Sequence, residues 1–289
     1  MKFVHIGDLH VWDHAFVWQE LHHPKRWIGP LNLMLNRRKR FPPSYRLPAI
    51  DAVLNEKPDV VIFTGDFTTL SLREEFVMAA ALFERIFEKL GPQFIAIPGN
   101  HDRYTPGSEA ADHLHHYLSF LPRERVFTRQ LDMRLTLVCV DHSYPLKLRS
   151  NGIVKDDVHQ ALEETLARMK KTNQQVILAG HYPYATPPEH PESWQHGLIG
   201  AERLETLVKE YKPLLYLHGH QHRRWRLRDP QTPDTLCLNC GSLGMKDPSP
   251  DRQAGYWTWE MDDRGAISTL TAKVFDGEST WQAHPADAG

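Results

Sequence analysis

Cysteine is scarce. Cys139, Cys237 and Cys240 are the only three in 289 residues, too few and odd in number for a disulfide framework in a chain this long. A reducing compartment is therefore expected. Cys237-Leu-Asn-Cys240 has the C-x-x-C form, but it has no second pair to complete a zinc site and no helix start for redox exchange. Small residues in a strand are the simpler reading. Surplus charge is also missing: 34 Lys and Arg face 36 Asp and Glu, a formal net charge of −2. General nucleic-acid binding is thereby excluded, because polyanion binders carry a global basic excess. No apolar run approaches the roughly 20 residues that cross a bilayer. Met1-Lys2 leads directly into a strand-like run, which leaves no room for a cleaved leader; the cytoplasm, or its membrane periphery, is the expected location.

What is present is ordinary globular material, 41% hydrophobic and 24% charged, arranged in one repeated grammar. A short apolar run ends in Gly and is followed by a residue able to bind metal. Phe3-Val4-His5-Ile6-Gly7 precedes Asp8 and His10, and Val60-Val61-Ile62-Phe63-Thr64-Gly65 precedes Asp66. Phe94-Ile95-Ala96-Ile97-Pro98-Gly99 precedes Asn100 and His101. Val176-Ile177-Leu178-Ala179-Gly180 precedes His181, and Leu214-Leu215-Tyr216-Leu217-His218-Gly219 precedes His220 and His222. Such runs read as strands buried on both faces. Helical spacing at 72–90, 156–171 and 201–211 alternates with them and implies an α/β sheet. Ligands of open α/β sheets gather beyond the carboxyl ends of the strands, so all five polar edges can face one crevice. Residues 235–239, 255–261 and 267–274 read as strands of a second sheet.

Asp8 and His10, two apart, are expected on one side of an extended segment, as are His220 and His222. Asp66 has two oxygens with which to bridge cations, and Asn100 offers a neutral carbonyl. Imidazole, carboxylate and amide without thiolate suit first-row ions such as Mn, Fe, Zn, Ni or Co. Two of them about 3.5–4 Å apart would act as a Lewis-acid clamp and lower the pKa of a bridging water to about 7. Each edge alone is commonly just a turn. Five in order are far more specific.

Asp8-x-His10, Gly65-Asp66, Gly99-Asn100-His101-Asp102, Gly180-His181 and Gly219-His220-x-His222 resemble the five ordered motifs of the calcineurin-like metallophosphoesterase superfamily, over about residues 1–245. The nearest pattern resembles its small bacterial phosphodiesterase branch. The resemblance implies a four-layer α/β/β/α sandwich with two mixed β-sheets and a dinuclear centre of Mn, Fe or Zn. By the same resemblance Asp8, His10 and His222 hold one metal, Asn100, His181 and His220 hold the other, and Asp66 bridges them. His101 corresponds to the family's catalytic histidine, and Asp102 is expected to accept a hydrogen bond from it. The implied reaction is in-line attack on a phosphodiester by a metal-bridging hydroxide, without a phosphoenzyme. Gly7 departs from the Ser that many relatives carry there. Alternative readings are a pyrophosphatase of UDP-linked diacyl sugars, a phosphomonoesterase or phosphoprotein phosphatase, and a metal-free binding module. Against the last stands the cost of clustering His and Asp without cations.

Residues 21–50 contain no Asp or Glu but seven Lys and Arg. Following the first motif, this insertion is expected at the rim of the site. Arg26, Arg37 and Arg38, with His142 after the run ending at Asp141, are the expected contacts to a small anionic phosphoester. Contact between the insertion and a lipid or membrane surface is a further expectation, against the alternative of a solvated basic helix. Arg224, Arg226 and Arg228 alternate and read as a solvent face. His5 and His218 read as core histidines. One domain is expected over 1–275, with a partly ordered polar tail at 276–289.

Overall fold

The structure is a computed structural model that describes residues 1–13, 25, 37–262 and 265–286. Arg26 and residues 21–24 and 27–36 of the insertion lie outside the described residues. Strands β1 (Lys2–Ile6), β2 (Val60–Thr64) and β3 (Phe94–Ile97) run parallel. On the other side of β1 the sheet continues antiparallel through β12 (Gly255–Met261), β13 (Ile267–Phe275) and β14 (Trp281–Ala286). A second sheet has the order β10-β11-β9-β7-β5-β4. Its members are β4 (Val126–Gln130), β5 (Leu135–Val140), β7 (Gln175–Ala179), β9 (Leu215–His218), β10 (Arg224–Leu227) and β11 (Leu236–Cys240). A small parallel ribbon joins β6 (Gly152–Ile153) to β8 (Leu198–Ile199).

The sheets pack face to face. Phe3, Ile62, Ile95 and Trp259 of the first interleave with Leu137, Ile177, Leu217 and Leu238 of the second, and Phe3 stacks on Trp259 with ring centroids 5.0 Å apart. Fully burying each such side chain contributes about 1.5–3 kcal/mol. The outer faces are covered by helices, α1 (Arg46–Asn55) and α2 (Arg73–Leu90) on the first sheet, α3 (Asp156–Lys171) and α4 (Ala201–Tyr211) on the second. This is the expected four-layer α/β/β/α sandwich.

Local chemistry sets the helix ends. Glu75 Oε2 accepts from the Leu70 and Leu72 backbone N–H groups at 2.8 and 3.1 Å, a cap that starts α2. The helix buries Phe76, Ala79, Leu82, Phe83 and Ile86 at three- and four-residue spacing. It stops at Gly91, whose φ of +53° glycine adopts readily. Among the described residues no helix is long and apolar enough to cross a membrane.

The expected tail from 276 is corrected. Asp276 Oδ1 accepts from the N–H groups of Glu278, Ser279 and Thr280 at 2.9–3.0 Å. That turn sends the chain back as β14, paired with β13 from Leu270 to Phe275. An edge strand tolerates polar residues and Pro285, so its composition imitates a tail; Trp281, packed on Phe275 and Tyr256 at 5.0 and 5.1 Å, anchors it.

Candidate metal centre

Asp8 and His10 follow β1, Asp66 follows β2, Asn100 and His101 follow β3, His181 follows β7, and His220 and His222 follow β9. All emerge at the carboxyl ends of parallel strands, and their side chains meet. One ligand atom from each of Asp8, His10, Asp66 and His222 lies within 4.8 Å of the others. Nε2 of His10 and Nε2 of His222 are 2.7 Å apart, and Asp8 Oδ1 is 3.3 Å from the latter. Beside this group, Asn100 Oδ1 is 3.1 Å from His181 Nε2 and 3.0 Å from His220 Nδ1. Asp66 Oδ2 stands between the two groups, 3.5 Å from His10 Nε2 and 3.5 Å from His181 Nε2.

Each of three histidines has one ring nitrogen committed to a backbone carbonyl. His10 Nδ1 donates to Thr68 O at 3.2 Å, His181 Nδ1 to Thr64 O at 2.7 Å, and His220 Nε2 to His196 O at 2.8 Å. At His10 and His220 the other nitrogen is left as a lone pair facing the cluster, the arrangement that orients metal-ligating imidazoles, and at His181 the other nitrogen faces Asp66 and Asn100. Burial holds His10 and His220 well below the usual imidazole range, hence neutral. At His181 burial acts the same way, but the Asp66 carboxylate outweighs it and raises the group to about 9. Asp8 Oδ1 and Asp66 Oδ2 are buried without a hydrogen-bond donor among the described residues. Buried carboxylate oxygens in that condition are costly unless a cation compensates them. The donor set therefore fits a pair of borderline cations.

The expectation of extended segments at Asp8-Leu9-His10 and His220-Gln221-His222 is corrected. Asp8, His10, Asp66, His220 and His222 have φ of +51°, +50°, +63°, +73° and +51°, a left-handed conformation that non-glycine residues seldom adopt. Tertiary hydrogen bonds impose it: Asp8 N–H donates to Gly65 O at 2.8 Å and His10 N–H to Asp66 O at 3.0 Å. Strain of this kind, on the order of 1–3 kcal/mol per residue, concentrates at functional sites.

The expected role of Asp102 is corrected as well. Its carboxylate accepts from the N–H groups of Asp66, Phe67, Thr68 and Gly99 and from the Thr68 hydroxyl, at 2.9–3.2 Å. It holds the loop after β2 and does not orient the His101 ring. Burial and the Asp66 charge raise its pKa, and those donors act in the opposite direction. His101 instead donates from Nδ1 to Thr69 O at 2.6 Å, while Arg37 Nη2 donates to its Nε2 at 2.9 Å. Burial, followed by the Arg37 charge, holds this imidazole well below its ordinary range.

Among the substrate contacts expected in the described residues, Arg37 alone lies at the cluster. It lines a cavity of about 620 Å³ over Asp66, Asn100, His220 and His222, walled by Arg40, Arg223 and Arg252. Arg38 is outside that cavity, its guanidinium 5.4 Å from the Trp12 ring centre. His142 is fully buried and does not line it. The β5 strand end turns its ring inward, where neither nitrogen has a partner among the described residues. Arg224 is buried rather than solvent-facing and donates to the Gln253 carbonyl at 3.2 Å. His5 and His218 are core residues.

Residues without a motif also serve the site. Cys240 Sγ lies 3.8 Å from Asp8 Oδ2; its thiol, kept neutral by burial, backs the carboxylate. Arg103 Nη2 and Arg125 Nη1 meet Asp141 Oδ2 at 3.1 and 3.0 Å, tying the loop after β3 to β4 and β5. Nothing in local spacing signals either contact.

The family model for calcineurin-like phosphoesterases matches residues 1–224. The chain belongs to that family. It is 30% identical, over 59% of its length, to a probable glycerophosphodiester phosphodiesterase GpdQ of Arcobacter nitrofigilis. It spans 59% of the length of that relative. The fold is similar to a dimetal phosphatase from Danio rerio, with a TM-score of 0.63, 13% identity and coverage of 100% and 99% of the two chains. It is also similar to GAP50, described as the anchor in the inner membrane complex of Plasmodium, with a TM-score of 0.55, 13% identity and coverage of 99% and 88%.

Proposed function

We propose that the protein is a phosphodiesterase working through two transition-metal ions. Asp8, His10 and His222 would hold one ion, Asn100, His181 and His220 the other, and Asp66 both. The observation that carries the reading is Asp66 Oδ2, buried, without a donor among the described residues, and 3.5 Å from an imidazole nitrogen of each half-site. When bound, the ions would supply Lewis acidity to the phosphoryl group and acidify a water at neutral pH.

The chain itself contributes positioning and charge. Two carboxylates among seven ligands leave a pair of divalent ions with surplus positive charge, which favours an anionic ester. Arg37 presents a guanidinium fork beside the cluster, the geometry that matches phosphate oxygens. His101, held by Thr69 O, lies at the same wall; once Arg37 turns to the phosphate, the Nε2 lone pair can accept a proton from the attacking water and return it to the departing oxygen. Support for a diester comes from the cavity, whose 620 Å³ leaves room for a second organic arm, and from the 30% identity to a probable glycerophosphodiester phosphodiesterase. The test is turnover of bis-(p-nitrophenyl) phosphate against p-nitrophenyl phosphate by Mn-, Fe- and Zn-loaded protein. A diester preference is expected; a preference for the monoester would overturn the reading.

A further inference from the structure

A second, larger cavity of about 1140 Å³ adjoins the first, and Arg40 lines both. There Arg40 Nη2 pairs with Asp247 Oδ2, a residue of the second cavity's lining, at 2.9 Å. The groove is preformed. Tyr45 and Phe275 make its floor edge to face at 4.8 Å, and Gln253 Nε2 fixes both, donating to Tyr45 Oη at 3.5 Å and Phe275 O at 3.1 Å. The Asp276 turn and β14 also line it.

Its lining carries cations, apolar side chains and carboxylates. Near Arg40 the rim carries the exposed cations Lys39 and Lys246, neither with an ion-pair partner among the described residues. The lining also includes the apolar Pro248, Pro250 and Phe275 and the carboxylates of Asp247, Asp276 and Glu278, of which Asp247 is paired with Arg40. The first cavity already has the volume of a small-molecule site, so the groove is surplus for a short diester.

We propose that this groove is a second subsite, which takes the non-reacting arm of an amphipathic phosphodiester. A negative group close to the scissile phosphate would lie on Lys39 and Lys246, and an apolar chain would cross Pro248 and Pro250. The inference rests on the phosphodiesterase reading for its scissile bond and on the groove alone for its arm.

The test uses Mn-loaded protein and p-nitrophenyl phosphodiesters whose second arm is methyl, octyl, or octyl carrying a carboxylate on its second carbon. Binding of the matching non-hydrolysable phosphonates is measured by calorimetry, which gives a result even without turnover. The carboxylated octyl arm should bind at least about tenfold tighter than methyl. Lys39→Glu with Lys246→Glu should abolish the carboxylate's advantage. Gln282→Trp, on exposed β14 at the groove wall, should abolish the octyl advantage. Both variants should leave the methyl ester unchanged. Equal affinity for all three arms, or arm preferences that survive both variants, would overturn the subsite. Tight arm binding without hydrolysis of any diester would instead overturn the phosphodiesterase reading and leave the groove standing.

Discussion

Arg37 donates from Nη2 to Nε2 of His101 at 2.9 Å, while Nδ1 of the same ring donates to the Thr69 carbonyl at 2.6 Å. Both nitrogens are thus occupied and the ring is neutral, so the permanent positive charge on that wall of the cavity is the guanidinium. Replacing Arg37 by Ala should lower kcat by about 10²–10³-fold with metal content unchanged, as for other preorganised charge donors. Arg37→Lys should recover part of the loss but not all of it, because an ammonium cannot span two oxygens. Steady-state kinetics with metal analysis checks this; an Arg37→Ala enzyme with unaltered kcat would remove Arg37 from the reaction.

His101→Ala should keep both ions and lose about 10²–10⁴-fold in turnover, the range of a lost acid–base group. The Arg37→Ala and His101→Ala losses should fall short of additive in the double variant, because each residue positions the other. Full additivity would mean that the two act separately.

Asp102→Ala should act on the fold before the chemistry. Its carboxylate satisfies the N–H groups of Asp66, Phe67, Thr68 and Gly99, and each donor stranded in the interior costs about 1–3 kcal/mol. A stability loss of at least about 3 kcal/mol by urea denaturation is expected, together with weakened metal binding. Near-native stability with a loss confined to kcat would instead assign Asp102 to His101, as the motif alone suggests.

Acid stability should depend on a cluster far from the site. Burial raises the Glu56 pKa, but hydrogen bonds from Lys2 and Lys273 outweigh this and hold it below the ordinary carboxylate range; the Nζ–O distances are 2.6 and 2.7 Å. A depressed folded-state pKa adds stability above the unfolded value of about 4.3, and the contribution disappears as pH falls through the folded value. Lys2→Met with Lys273→Met should therefore flatten the loss of urea midpoint below about pH 5. The effect should be small, since partly exposed pairs are weak. An unchanged acid limb would exclude the cluster.

The five strand edges and the side chains that gather there were legible because a buried parallel strand announces itself as an apolar run and its end as Gly. The same simplicity misled elsewhere. Spacing of two residues suggested that Asp8 and His10 point the same way from an extended segment, whereas left-handed backbone brings them together, held by hydrogen bonds that their N–H groups donate to the carbonyls of Gly65 and Asp66, residues distant in sequence. Asp102 looked like a partner for its neighbour His101, and its true partners are backbone N–H groups that no pattern marks. The β14 edge strand read as a tail because exposure permits polar residues on both faces. Arg103, Arg125 and Asp141 form their clamp across three separate segments, beyond the reach of any local signal.

The most direct measurement is the metal content of the protein as purified and after Asp66→Ala, determined by inductively coupled plasma mass spectrometry alongside a circular dichroism spectrum. Close to two transition-metal ions per chain are expected in the parent, and less than one in the variant with its fold retained. A folded parent that takes up no transition metal from Mn-, Fe- or Zn-supplemented buffer would contradict the dinuclear centre.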